Sequence, residues 1–192
     1  MHFTPHNLYH IYNRTNANRI LFPVEKNYLS FLDRVNTNIK PFCDILAWSL
    51  MPNHFHFLIH ANELSVIEKQ VGGNLLQQLT NGFKITLSSY ANSLNKQQNT
   101  FGNLFQQKTK AKLVEGKEYP LTVFHYLHQN AYRAKLVSKI EDWPYSSFPD
   151  FAGIRNGQLC NKDLAVQMLD LNMQKFYEES YKIIDADFMR GW

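Results

Sequence analysis

Asp44-Ile45-Leu46-Ala47-Trp48-Ser49-Leu50-Met51-Pro52-Asn53-His54-Phe55-His56-Phe57-Leu58-Ile59-His60 holds two apolar runs with Met51-Pro52-Asn53 between them. Proline fixes its own φ, and an asparagine side chain folds back onto nearby backbone, so Pro-Asn is turn chemistry and the stretch reads as an antiparallel hairpin. Side chains alternate across a strand. In the second run Phe55, Phe57 and Ile59 therefore share one face, which must be core. His54, His56, Leu58 and His60 share the other.

The pattern extends both ways from this hairpin. Leu8 to Arg14 alternates as a strand does. From Glu25 to Ile39 the apolar positions Tyr28, Phe31, Leu32, Val35 and Ile39 fall at helical spacing, and the helix stops before Pro41. Residues 65–95 read as one long helix weakened at Gly72-Gly73, with a polar loop at 95–100. Residues 101–114 read as a short strand pair with Lys108, Lys110 and Lys112 on one face. Tyr119-Pro120 opens a helix to about Lys135, since proline is tolerated in a first turn. Trp143 to Ser147 breaks the pattern, and residues 161–184 form one or two further helices. This order of elements predicts an α+β fold of the ferredoxin-like kind, with helices packed on one side of an antiparallel sheet.

Composition bounds the function less tightly. The chain of 192 residues suits one domain with a short appendage. Its net charge is +4, but residues 161–192 hold four of the 20 basic and six of the 16 acidic side chains. The preceding segment is thus the basic part, which permits a polyanionic partner without demanding one. Two distant cysteines, Cys43 and Cys160, exclude a disulfide scaffold and suggest a reducing cytoplasm. The first residues lack the pattern of a signal peptide. No apolar run approaches the roughly 18 residues of a membrane span, so no membrane partner is expected.

Two local patterns carry candidate chemistry. His54 and His56, at i and i+2 on one strand face, have Cα atoms roughly 6–7 Å apart, close enough for both imidazoles to reach one divalent ion. The same pattern arises from two surface histidines on a polar sheet face. Tyr126 and Asn130 lie one helical turn apart on one face. Asn130 can offer an oxygen ligand with Tyr126 beside it; by itself the pattern is more often an interfacial tyrosine and a capping-type asparagine. His125 and His128 read as surface or packing residues. Arg14, Lys108, Lys110, Lys112, Arg133 and Lys135 are candidate phosphate contacts, or simply solvated charges.

In several blocks the chain resembles the REP-associated tyrosine transposases, a group of single-tyrosine insertion-sequence transposases in the HUH endonuclease superfamily. The blocks run from Tyr9 to about Phe151. They are Tyr9-His10-Ile11-Tyr12-Asn13-Arg14, Met51 through Ile59, Phe101-Gly102-Asn103-Leu104-Phe105-Gln106, Tyr126 through Ala134, and Trp143-Pro144-Tyr145-Ser146-Ser147. Ala131 stands where the family often has proline. The resemblance implies a transposase domain over 1–151, with its HUH motif on a central strand, and a helical extension over 152–192. It implies His54 and His56 as the metal pair, Asn130 as a third ligand and Tyr126 as nucleophile. Mg²⁺ or Mn²⁺ would be the cofactor, with two imidazoles and an amide oxygen suiting Mn²⁺ somewhat better. The substrate would be single-stranded or hairpin DNA, cut through a 5′-phosphotyrosine intermediate, with a homodimer as one assembly. Arg14, Lys108, Lys110, Lys112 and Arg133 would bind the DNA. Two rival readings remain. One is a domesticated, inactive protein of the same fold that only holds a hairpin. The other is an RNA-binding ferredoxin-like domain, which the histidine-bearing sheet face disfavours.

Overall fold

The computed structural model describes residues 1–182 and 184. Strand β1 (Leu8–Arg14) leads into helix α1 (Glu25–Asn38), which buries Tyr28, Phe31 and Val35. The hairpin of β2 (Asp44–Met51) and β3 (His54–His60) follows, and Met51 pairs with His54 across the two-residue turn Pro52-Asn53. Neighbouring backbone pins this turn: Thr15 N–H donates to Asn53 O, and Leu21 N–H to Pro52 O.

The segment expected as one helix over 65–95 is broken. It forms α2 (Glu63–Val66), a small hairpin of β4 (Glu68–Val71) and β5 (Asn74–Gln77), and then α3 (Gln78–Gln98). Gly72 and Gly73 both take positive φ, 57° and 83°. Two-residue hairpin turns with positive φ at both central positions favour Gly-Gly, so the pair is a turn and not a weak point in a helix. Helix α3 also absorbs most of the expected 95–100 loop and stops at Asn99, whose backbone is left-handed. In 101–114 a single strand forms, β6 (Lys110–Val114). Residues 104–106 hang instead on the end of β1, through Asn16 N–H to Leu104 O and Gln106 N–H to Arg14 O. Helix α4 (Tyr119–Arg133) carries Pro120 in its first turn as expected. Helices α5 (Phe148–Phe151), α6 (Lys162–Leu169) and α7 (Phe176–Ser180) complete the described chain.

The sheet has the order β2-β3-β1-β6 with every neighbouring pair antiparallel, and β3 is central. The α+β class and antiparallel sheet are those the sequence predicts. The placement of helices on one side holds only for α1 and α3. These cover the phenylalanine face, where Phe31 meets Phe55 at 5.4 Å and Phe83 meets Phe57 at 6.4 Å between ring centroids. At Gly82 of α3 an added Cβ would lie 2.0 Å from the Asn38 carbonyl oxygen, so glycine is what lets α3 approach the end of α1. Helix α4 lies across the other face, with Tyr126 against His56. That face cannot be left to solvent, because it also carries Leu8, Leu58 and Val114, all buried.

The Trp143–Ser147 block closes the outer edge of β2. Leu50 N–H donates to Tyr145 O, Ser147 N–H to Trp48 O, and Trp143 Nε1–H to Leu50 O. This removes an exposed strand edge. A bidentate Arg155–Asp150 pair, whose Arg155 also donates to Pro144 O and Ser146 O, holds the block in place. Helices α5 and α7 pack on α4, where Phe176 joins Phe124, Phe148 and Phe151, while α6 packs on β2. Part of the 152–192 extension, residues 183 and 185–192, lies outside the described residues. Among the described residues, no helix is long and apolar enough to cross a membrane.

Candidate active site

Antiparallel pairing sets residues directly opposite each other on one sheet face. His54 faces Arg14, His56 faces Tyr12, and Tyr12 in turn faces Lys110. One row of the sheet thus delivers imidazole, phenol and ammonium groups to the same place. From above, α4 adds Tyr126. Its ring lies 5.9 Å from that of His56 and 6.5 Å from that of His10, near perpendicular to both. A cavity of about 440 Å³ opens there, lined by Tyr12, Asn13, Arg14, His54, His56, Gln106, Lys108, Lys110 and Tyr126. A second cavity of similar size, about 450 Å³, lies beside α3. Its lining is mostly amides and hydroxyls with a single charged side chain, Lys84, so it offers no set of groups for bond-making chemistry.

The His54 and His56 rings are 5.1 Å apart and nearly perpendicular. His54 Nδ1 lies 2.6 Å from Asn53 Oδ1. A carbonyl oxygen only accepts, so Nδ1 carries the proton and Nε2 keeps its lone pair. His56 Nδ1 lies 2.8 Å from His10 Nε2. Burial lowers both histidines: His54 to about 4, with Arg14 adding to the effect, and His56 well below 6.5, with His10 and His54 adding. Both are therefore neutral near pH 7, the form that binds metal. Tyr126 is pushed up to about 12 by burial, offset in part by Arg133 and reinforced by Tyr12. It is a neutral phenol at pH 7 and needs added positive charge to act as a nucleophile.

The residues singled out from the sequence divide into two groups. His54, His56, Tyr126, Arg14, Lys108 and Lys110 share the cavity lining. Lys108 precedes β6, so it arrives by the loop and not by the strand alternation that the sequence suggests. Asn130, Lys112 and Arg133 are not on that lining. Asn130 is buried one turn beyond Tyr126, and its Nδ2 makes no hydrogen bond among the described residues. Lys112 lies over the Tyr119 ring at 5.7 Å. Arg133 donates to Ile184 O and approaches Gln129 Oε1. Lys135 ends the α4 turn with a left-handed backbone. His125 and His128 are buried packing residues, each against a serine hydroxyl: Ser180 for His125 and Ser147 for His128.

Sequence reading missed three contributors. Tyr12 lines the cavity and overlies His56. His10 is fully buried and bonded to His56. Asn53 fixes His54. Strand alternation alone puts His10, Tyr12 and Arg14 on one face of β1, but only the β1–β3 register reveals that this face is the one bearing His54 and His56.

The chain matches no family model and no curated protein. Among solved structures it matches a REP-associated tyrosine transposase bound to a REP hairpin, with a TM-score of 0.58 and 12% identity over 80% of this chain and 83% of that one. The two share a fold: an antiparallel sheet with helices, over most of both chains.

Proposed function

We propose that this protein is a metal-dependent transposase-type endonuclease that cuts single-stranded DNA, next to or within a hairpin, and becomes linked to it through Tyr126. The observation that carries this reading is the meeting of Tyr126 with His54 and His56 in one cavity rimmed by Arg14, Lys108 and Lys110. The fold shared with a transposase that was solved bound to a DNA hairpin adds to it.

The donor set fits a divalent ion. Two neutral imidazoles stand on one strand face, and Asn130, whose Nδ2 makes no hydrogen bond among the described residues, lies one turn beyond Tyr126 on α4. His54 and His56 would hold the ion through Nε2, with Asn130 contributing its oxygen; imidazoles favour Mn²⁺ over Mg²⁺ in such a set. When bound, the ion supplies Lewis acidity at a non-bridging phosphate oxygen. The remaining work falls to the protein. Arg14, Lys108 and Lys110 draw in the phosphate backbone and fix its register. Tyr126 Oη attacks the phosphorus, the bond from phosphorus to the 3′ oxygen breaks, and a Tyr–O–P bond to the 5′ side forms. The phenol loses its proton to solvent and the 3′ oxygen gains one, so no redox partner is required. The phosphodiester energy is retained in the Tyr–P bond, which lets a second 3′-OH reverse the reaction at a new site.

The test is incubation with end-labelled, hairpin-bearing single strands and Mn²⁺. A protein–DNA adduct that survives denaturation, requires the metal and vanishes in Tyr126→Phe supports the reading. An adduct that persists in Tyr126→Phe rejects the nucleophile. Tight hairpin binding with no adduct under any divalent ion assigns the protein to hairpin binding alone.

A further inference from the structure

His10 has no part in the resemblance beyond lying within one of its blocks, yet it is among the most deeply buried polar residues, with 0% of its surface exposed. Its Nε2 is 2.8 Å from His56 Nδ1. The two ring planes differ by 16° and their centroids are 5.0 Å apart. A nitrogen separation of 2.8 Å leaves little more than the two ring radii between those centroids, so the rings meet edge to edge. That is the geometry of an in-plane hydrogen bond and not of a face stack. Tyr12 lies against both rings, 4.9 Å from His10 and 5.8 Å from His56 at shallow angles, and so limits their rotation.

Two neutral histidines can share one proton in two ways. If His10 Nε2 is the donor, His56 Nδ1 accepts and its proton sits on Nε2, where it blocks metal binding. If His56 Nδ1 is the donor, its Nε2 is left with its lone pair and His10 carries its own proton on the buried Nδ1. His54 has no such ambiguity, because Asn53 Oδ1 can only accept. A site needing both imidazoles therefore depends on which proton arrangement the His10–His56 pair adopts.

We propose that His10 is a positioning residue, which accepts the Nδ1 proton of His56 and so keeps His56 Nε2 available to a divalent cation. The proposal rests on reading His54 and His56 as a metal pair. It adds that the neighbouring strand selects the competent tautomer before any metal arrives. Partners of this kind on metal-bound histidines are worth about 10–100-fold in metal affinity.

The experiment has two arms. In metal-free protein with ¹⁵N-labelled histidine, the spectrum should show His56 protonated at Nδ1 and bare at Nε2. A His56 protonated at Nε2 overturns the proposal, whatever the metal result. In the second arm, Mn²⁺ affinity is measured by calorimetry on folded variants. His10→Leu removes the acceptor and should weaken binding about 10–100-fold. His10→Gln, whose amide oxygen can accept, should restore it to within about threefold. A folded His10→Leu that binds Mn²⁺ as tightly as the parent overturns the proposal; if that variant does not fold, the ¹⁵N spectra of the parent and of His10→Gln decide. Should the parent bind no Mn²⁺, or bind it undiminished in His54→Ala, the metal reading fails, while the ¹⁵N spectrum still judges His10.

Discussion

Tyr126 and Tyr12 both reach the cavity, so the choice of nucleophile turns on what each phenol is attached to. Tyr12 is fixed on a strand whose backbone is bonded on both sides, and its ring lies against His10 and His56. Tyr126 enters from a helix with its ring near perpendicular to that of His56; burial raises its pKa to about 12, and Arg133 offsets that rise in part. Tyr126→Phe removes one oxygen and keeps the ring, so fold and DNA affinity should hold to within about threefold while the covalent adduct falls below detection. Tyr12→Phe should keep the adduct; denaturing gels of the two variants side by side decide. His54→Ala should abolish Mn²⁺-dependent cleavage without unfolding the protein, since His54 is a half-buried residue of the cavity lining and not part of the apolar core. A His54→Ala variant that still cleaves at full rate with Mn²⁺ would remove it from the site.

Among the elements, those with a strong period were legible from the sequence and those defined by a turn were not. The β2–β3 hairpin, α1 and α4 all appear where alternation and helical spacing put them. Residues 65–77 did not, because Gly72-Gly73 can be either a flaw in a helix or the centre of a hairpin, and only its positive φ values distinguish the two. The candidate site follows the same logic. His54 and His56 are adjacent in sequence and could be paired by counting. His10 is 46 residues from His56 and is brought to it only by strand register, which no local pattern encodes. The α1–α3 contact was likewise invisible, and it yields a prediction. Gly82→Ala would put a methyl group 2.0 Å from the Asn38 backbone oxygen, a clash that no side-chain rotation relieves. Overpacking of this kind costs about 1–3 kcal/mol. In a chain of this length each kcal/mol lowers Tm by roughly 2–4 °C. A thermal melt of Gly82→Ala equal to that of the parent would show that α3 can shift away from α1 at no cost.

Taken as a whole, the molecule separates its basic surface from its acid-sensitive interior, and each makes a measurable claim. Lys108 and Lys110 are exposed at the cavity, so Lys108→Gln with Lys110→Gln should reduce the salt dependence of single-strand binding by about 0.7 per charge removed. An unchanged slope in salt titrations would take them off the DNA path. The interior claim concerns His125 and His128 of α4, which pack against Phe176 of α7. His128 is packed among Phe124, Phe148, Phe151 and Phe176 with Nε2 at 2.8 Å from Ser147 Oγ; His125 meets Ser180 Oγ at 3.1 Å. Burial lowers His125 to about 4, helped by Lys182, and lowers His128 well below 6.5, helped by His125. Above pH 6.5 both are neutral in the folded and unfolded chain and cost nothing. As the pH falls below 6.5 the unfolded chain takes up protons that the folded protein refuses, so stability declines until the folded groups titrate in turn. Each histidine can contribute up to about 1.4 kcal/mol per pH unit across that window. Chemical denaturation should therefore show midpoints that are level from pH 8 to 7 and then fall between pH 6.5 and 4. His128→Gln, which can still bond Ser147 but cannot take a proton there, should flatten the fall. If its denaturation midpoint drops as steeply as the parent's over the same window, the acid sensitivity lies elsewhere than in the joint between α4 and the C-terminal helices.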